Sequence, residues 1–146
     1  MAVTKFLARD LDIHINTGTI AAPVWTAIGG INTLTHSPSS SDADTTDFDS
    51  MGREEHLKAS RSDAWSLSGF HLEDVTTGVR DVGQTAVETL GQALGLTSLG
   101  QFRVTSPGGN TIKFMASAEV TKHSGGNNDA ASWQVALKVS GAVTYA

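Results

Sequence analysis

Apolar residues at alternate positions dominate this chain, and that period commits most of it to half-buried β-strands. Leu11, Ile13 and Ile15 alternate with Asp12, His14 and Asn16 up to the turn at Thr17, Gly18 and Thr19. Val24 to Ile28 and Ile31 to Thr35 read as two short strands around Gly29 and Gly30, and Trp65, Leu67 and Gly69 alternate with Ser66 and Ser68. Phe102 and Val104 alternate with Gln101, Arg103 and Thr105 as far as the turn 106–110. Ile112, Phe114, Ala116, Ala118 and Val120 then share one face, and Trp133, Val135, Leu137 and Val139 another. The turns at 106–110 and 124–129 are rich in Gly and Asn, which tolerate positive φ, so residues 99–140 should form a three-stranded antiparallel meander. Trp65, Phe114 and Trp133 on these alternating positions should lie in the core.

One segment keeps a helical period instead. Val82, Ala86, Val87, Leu90 and Leu94 recur at close to 3.6 residues, which predicts a helix over about 81–94. Asp81 is placed to cap it, Gln84 occupies the reciprocal position of a capping box, and Gly95 suits the residue after its end. Gly83 and Gly91 each cost a helix about 1 kcal/mol relative to Ala, so packing must hold it. The expected fold is mainly β: an antiparallel β-sandwich or barrel with one flanking helix, in one domain over residues 1–146.

Charge breaks the pattern once. Between residues 42 and 55 stand Asp42, Asp44, Asp47, Asp49, Glu54 and Glu55 against Arg53 alone, which accounts for the whole net charge of −5. With the serine-rich run before it, this predicts a long acidic loop over about 36–62, too poor in apolar residues to offset its ordering entropy alone. A loop of that length inside a domain is usually functional or disordered. Arg61, Arg80 and Lys122 are candidate basic partners for it.

Chemistry is hard to find. The nucleophile-elbow, dinucleotide, phosphate-loop and zinc-protease motifs are absent, and His14, His36, His56, His71 and His123 lack ligand spacing. The acidic stretch has no calcium-loop register of Asp-x-Asp-x-Asp-Gly with a distal Glu. Glu54, Glu55 and His56 are consecutive, so on an extended chain they diverge. No enzyme, cofactor or metal site is expected. Without cysteine there is neither disulfide nor thiolate site. Charges at Lys5, Arg9 and Asp10 argue against a signal peptide, no apolar run reaches the ~20 residues of a membrane span, and the ten scattered bases do not make a DNA-binding patch.

Several stretches resemble a known family: the opening MAVTKFLARD, the strand from Trp25 to Leu34, the run from Asp44 to Ser50, and residues 55–69. Together they are similar to the tail tube (major tail) proteins of long, non-contractile-tailed bacteriophages. The resemblance implies a β-sandwich subunit that assembles into stacked, hexameric rings, giving a hollow tube that conducts the genome into the host. It further implies a tape-measure protein, a tail terminator and tail-tip proteins as partners. Assembly would occur in the bacterial host cytoplasm, the product lying in the virion tail without membrane insertion. The immunoglobulin-like C-terminal domain of many members is not expected. Under this reading the acidic residues make the contacts between rings. Viral DNA passes without specific binding, along polar faces such as Gln101, Arg103 and Thr105 or Thr111, Lys113, Ser117 and Glu119. The alternative is a monomeric β-sandwich module that binds carbohydrate or Ca²⁺ through the acidic loop.

Overall fold

Among the described residues, strand alternation resolves into one antiparallel sheet with a single α-helix on it. The computed structural model describes residues 3–122 and 124–146, with Lys122 described by its backbone only. In chain order the elements are β1 (Asp12–Asn16), β2 (Trp25–Ala27), β3 (Ile31–Asp44), β4 (His56–Phe70), α1 (Val82–Gly91), β5 (Leu99–Thr105), β6 (Thr111–Lys122), β7 (Ser132–Val139) and β8 (Thr144–Tyr145). The sheet runs β2-β1-β5-β6-β7-β4-β3, and β8 pairs with β6 beside this path. The expected meander is β5, β6 and β7, with Phe102 opposite Phe114 and Ala118 opposite Leu137.

The sheet curls because its two ends are adjacent in sequence. Only residues 28–30 join edge strand β2 to edge strand β3. Within that link Ile28 donates to the carbonyl of Ile13 on β1 (3.2 Å), and Gly30 accepts from Phe70 at the end of β4 (2.9 Å). The ends approach each other, yet β2 and β3 do not pair, so the barrel is not closed. Inside the curl lie Leu67, Phe102, Trp133, Val135 and Leu137, all essentially inaccessible to water. Phe114 stacks between Trp65 (5.5 Å between centroids) and Phe102 (5.9 Å), and His36 covers the other side of Trp65 at 4.2 Å. The expected core positions Trp65, Phe114 and Trp133 are therefore buried.

Helix α1 fastens the open seam. Asp81 caps it, its Oδ2 accepting from the backbone of Gln84 at 3.0 Å and of Gly29 at 3.2 Å. The reciprocal half of the capping box is not made. Gln84 is instead fully buried, donating to the carbonyls of Gly29 (2.9 Å) and Phe70 (2.8 Å) and accepting from the N–H of Leu72 (3.2 Å). One side chain thus satisfies three backbone groups that an unclosed sheet leaves without ladder partners. Gly83 belongs to the same joint, since a Cβ there would collide with the carbonyl oxygen of Ala27. The helix stops at Gly91, three residues short of the sequence expectation. Its face is used up by Ala86, Val87 and Leu90, whereas Leu94 is 87% exposed and gains nothing from another turn. Gln92 caps it in a right-handed conformation, so Gly95 is not its terminal residue and opens a 3-10 turn at Gly95–Ser98.

The acidic stretch departs furthest from expectation. Residues 36–62 are not a loop: β3 and β4 pair continuously from Ile31↔Gly69 out to Asp44↔His56, with a bulge between Ser41 and Asp42. Apolar content predicted disorder because it measures side-chain burial, whereas this ribbon is held by its backbone ladder and by polar cross-strand pairs such as Ser39 Oγ to Ser62 Oγ at 2.6 Å. Only residues 45–55 connect the strands.

Candidate functional site: the acidic hairpin arm

Strand β4 has two neighbours only between Ala64 and Phe70, where β7 lies on its far side. From the pair Pro38↔Asp63 outward, β3 and β4 have only each other among the described residues. At about 3.4 Å per residue this two-stranded arm projects more than about 20 Å from the sheet. Its root is anchored by His36, whose Nε2 lies 3.0 Å from Asp63 Oδ1 while the ring stacks on Trp65. Pro38 falls on an edge strand, where a missing N–H donor is tolerated.

The tip is built rather than slack. Thr46 closes it, its hydroxyl bonding the N–H of Glu55 (2.9 Å) and the carbonyl of the same residue (3.2 Å). Asp47 and Ser50 form a reciprocal box around the 3-10 turn Phe48–Ser50, with Asp47 Oδ1 accepting from Ser50 N at 3.1 Å and Ser50 Oγ accepting from Asp47 N at 3.1 Å. Met51 and Gly52 then reverse the chain at φ of 52° and 80°. The side chain and backbone of Thr46 hydrogen-bond Asp44 and hold its carboxyl below the usual aspartate range. This framework lets Phe48 and Met51 stand almost wholly in solvent, 104% and 89% exposed, and Leu57, opposite Ala43 on the ribbon, is exposed as well. An ordered tip that presents phenylalanine and methionine to water is an unusual surface for a monomer.

Asp42, Asp44, Asp47, Asp49, Arg53, Glu54 and Glu55 are thus all brought to one end of the molecule, every one exposed. Among the described residues no three His, Asp or Glu side chains converge as a cation cage. The basic candidates are not gathered there. Arg61 lies on the arm itself, opposite Ser40. Arg80 sits by α1, 2.6 Å from Glu88, whose other oxygen accepts from Trp133 Nε1 at 3.0 Å. The side chain of Lys122, like His123, lies outside the described residues. Phe48, Met51 and Leu57 were not singled out by sequence reasoning. Their signal was available, three large apolar side chains in an otherwise polar stretch, but exposure cannot be read from type alone.

A second feature lies on the outer face of the sheet. His14, Arg103 and Lys113 are direct cross-strand neighbours on β1, β5 and β6. Burial first, then the Arg103 charge, hold the His14 imidazole below its ordinary value.

No protein-family model and no curated protein matches this sequence. Solved structures do. The chain is similar to a subunit of the tail of an empty gene transfer agent particle, refined with C6 symmetry (TM-score 0.71, 22% identity, 97% of this chain and 99% of that one). It is also similar to a subunit of the native gene transfer agent virion (TM-score 0.68, 21% identity, 97% and 99%). The SPP1 tail tube protein matches as well (TM-score 0.69, 15% identity, 97% and 78%). Across nearly its whole length, this chain has the fold of a phage-type tail tube protein.

Proposed function

We propose that this chain is a non-enzymatic structural subunit of a virion-like tail, which assembles with copies of itself into stacked rings and so forms a tube for genome passage. The observation that carries the reading is the arm: a paired, ordered ribbon that adds nothing to its own core and ends in exposed apolar and acidic side chains. The edges of the sheet support it. Strand β3 is fourteen residues long and, among the described residues, no strand lies on its outer side; the stretch of β6 beyond Ser117 pairs with β7 alone, with α1 packed along it where Gly91 meets Ala118. Long open edges are a hazard in a monomer and a means of assembly in a ring, where one copy's edge continues its neighbour's sheet. Six copies per ring agrees with the C6 symmetry of one similar tail. The acidic arm then reaches the adjoining ring, with the tape-measure, terminator and tip proteins as further partners. A single domain serves this role, in the tail of a particle assembled in a bacterial host.

Negative-stain electron microscopy of the concentrated protein tests this. Rings or tubes of uniform diameter are expected; a monodisperse monomer at every concentration and salt would overturn it.

A further inference from the structure

The basic row on the outer face is unusual for a sheet. Arg103 on β5 stands directly opposite Lys113 on β6, and like charges so placed destabilise a pair of strands. Neither has an ion-pair partner among the described residues. Asp12, on the same face of β1, is opposite Thr105 and not opposite either cation. Arg103 lies over the ring of Trp25 at 4.6 Å, while its Nε and His14 Nδ1 are shut from water with no hydrogen-bond partner among the described residues. Trp25 continues into an apolar rim, for Val24 and Ile20 in the β1–β2 turn are 57% and 70% exposed. A subunit that leaves two cations side by side, half-desolvated and uncompensated, is complete only when something anionic covers them.

We propose that this surface, the row His14–Arg103–Lys113 with its rim of Trp25, Val24 and Ile20, seats the hairpin tip of a second copy. The match is double. Carboxylates of Asp49, Glu54 and Glu55 meet Arg103 and Lys113, and Phe48 and Met51 meet the apolar rim. Each surface alone violates a rule of stable surfaces, one by exposed apolar side chains and the other by unpaired like charges, and each supplies what the other lacks. The row is consequently no part of a conduit wall, since stacked cations would bind passing phosphates. The inference rests on the assembly reading above and gives the arm its docking site.

Charge exchange tests it. Lys113→Glu alone, and Asp49→Lys with Glu54→Lys alone, should each remove sedimentable polymer while circular dichroism stays that of the wild type; all three together should restore it. Arg103→Glu is less informative alone because it also breaks the Trp25 contact. Normal polymer from Lys113→Glu would overturn the proposal. So would loss in both single-sided variants without rescue in the combination, which would place the tip elsewhere while the assembly reading stood. Duplex DNA retained by the wild type and released by Lys113→Glu, with polymer unchanged, would make the row a phosphate site and equally overturn it. A wild type that never forms rings or tubes would instead defeat the assembly reading itself.

Discussion

At the scale of single residues, Gly83 shows how packing overrules propensity. In an isolated helix Gly83→Ala should stabilise by about 1 kcal/mol, yet its Cβ would press on the backbone of Ala27 and Ile28, which cannot rotate away as a side chain could. The expected outcome is a loss of about 1–3 kcal/mol, the usual cost of overpacking, measured by denaturant melts. A more stable variant would mean the seam is looser than described. His14 makes a prediction of opposite character. Its folded pKa lies below the ordinary 6.5, so on acidification the unfolded chain takes up the proton first. Its contribution is therefore whole above about pH 6.5 and is lost as pH falls through the folded pKa. The melting temperature of His14→Gln should fall less steeply than that of the wild type from about pH 7.5 to 5, and the imidazole should titrate below 6.5 by NMR. Equal slopes would remove the effect. Neither property was legible in the sequence. Gly83 read as a weakness of the helix and Gln84 as half of a capping box, because both act on partners some 55 residues away, at the corner between β2 and β3.

At the scale of elements, legibility followed the source of order. Strand parity in β5, β6 and β7 was readable to the residue, because burial of one face of each strand sets both its period and its register. The ribbon of β3 and β4 was not, because beyond Trp65 and Leu67 it buries nothing and its order comes from the ladder, which any backbone can make. The same distinction predicts what the arm is for. Replacing residues 40–61 with Asn-Gly would join the Ser39↔Ser62 pair through a two-residue hairpin turn. The excised segment contributes no side chain to the core, and Ser50, its only buried residue, is covered by the tip itself. Stability should change by about 1 kcal/mol or less, since loop-closure entropy depends weakly on length. Circular dichroism should report the same sheet and helix, while electron microscopy finds no tubes. An unfolded product would make the arm part of its own domain's fold; normal tubes would remove its role between subunits.

At the scale of the whole molecule, the two kinds of contact in the proposed assembly rest on different physics, and salt separates them. Edge-to-edge addition along β3 and β6 is made of backbone hydrogen bonds between neutral groups, and screening leaves such bonds nearly untouched. Docking of the arm, as proposed, sets Asp49, Glu54 and Glu55 of its acidic stretch against Arg103 and Lys113 on another copy. Exposed pairs of this kind contribute about 0–1 kcal/mol each, so their weight comes from repetition around a ring. The screening length falls from about 10 Å at 0.1 M salt to about 3 Å at 1 M, which removes most of that attraction and leaves only the small apolar contact of Phe48 and Met51. Raising the salt should therefore dismantle tubes into rings before it dismantles rings into subunits. Sedimentation should show polymer giving way to one intermediate species of discrete mass, which images as closed rings and stacks again on dialysis to low salt. Direct passage from tube to monomer would mean that the arm also closes the ring. Tubes indifferent to salt would mean that its carboxylates are solvated in the assembly, with the apolar tip alone making the joint.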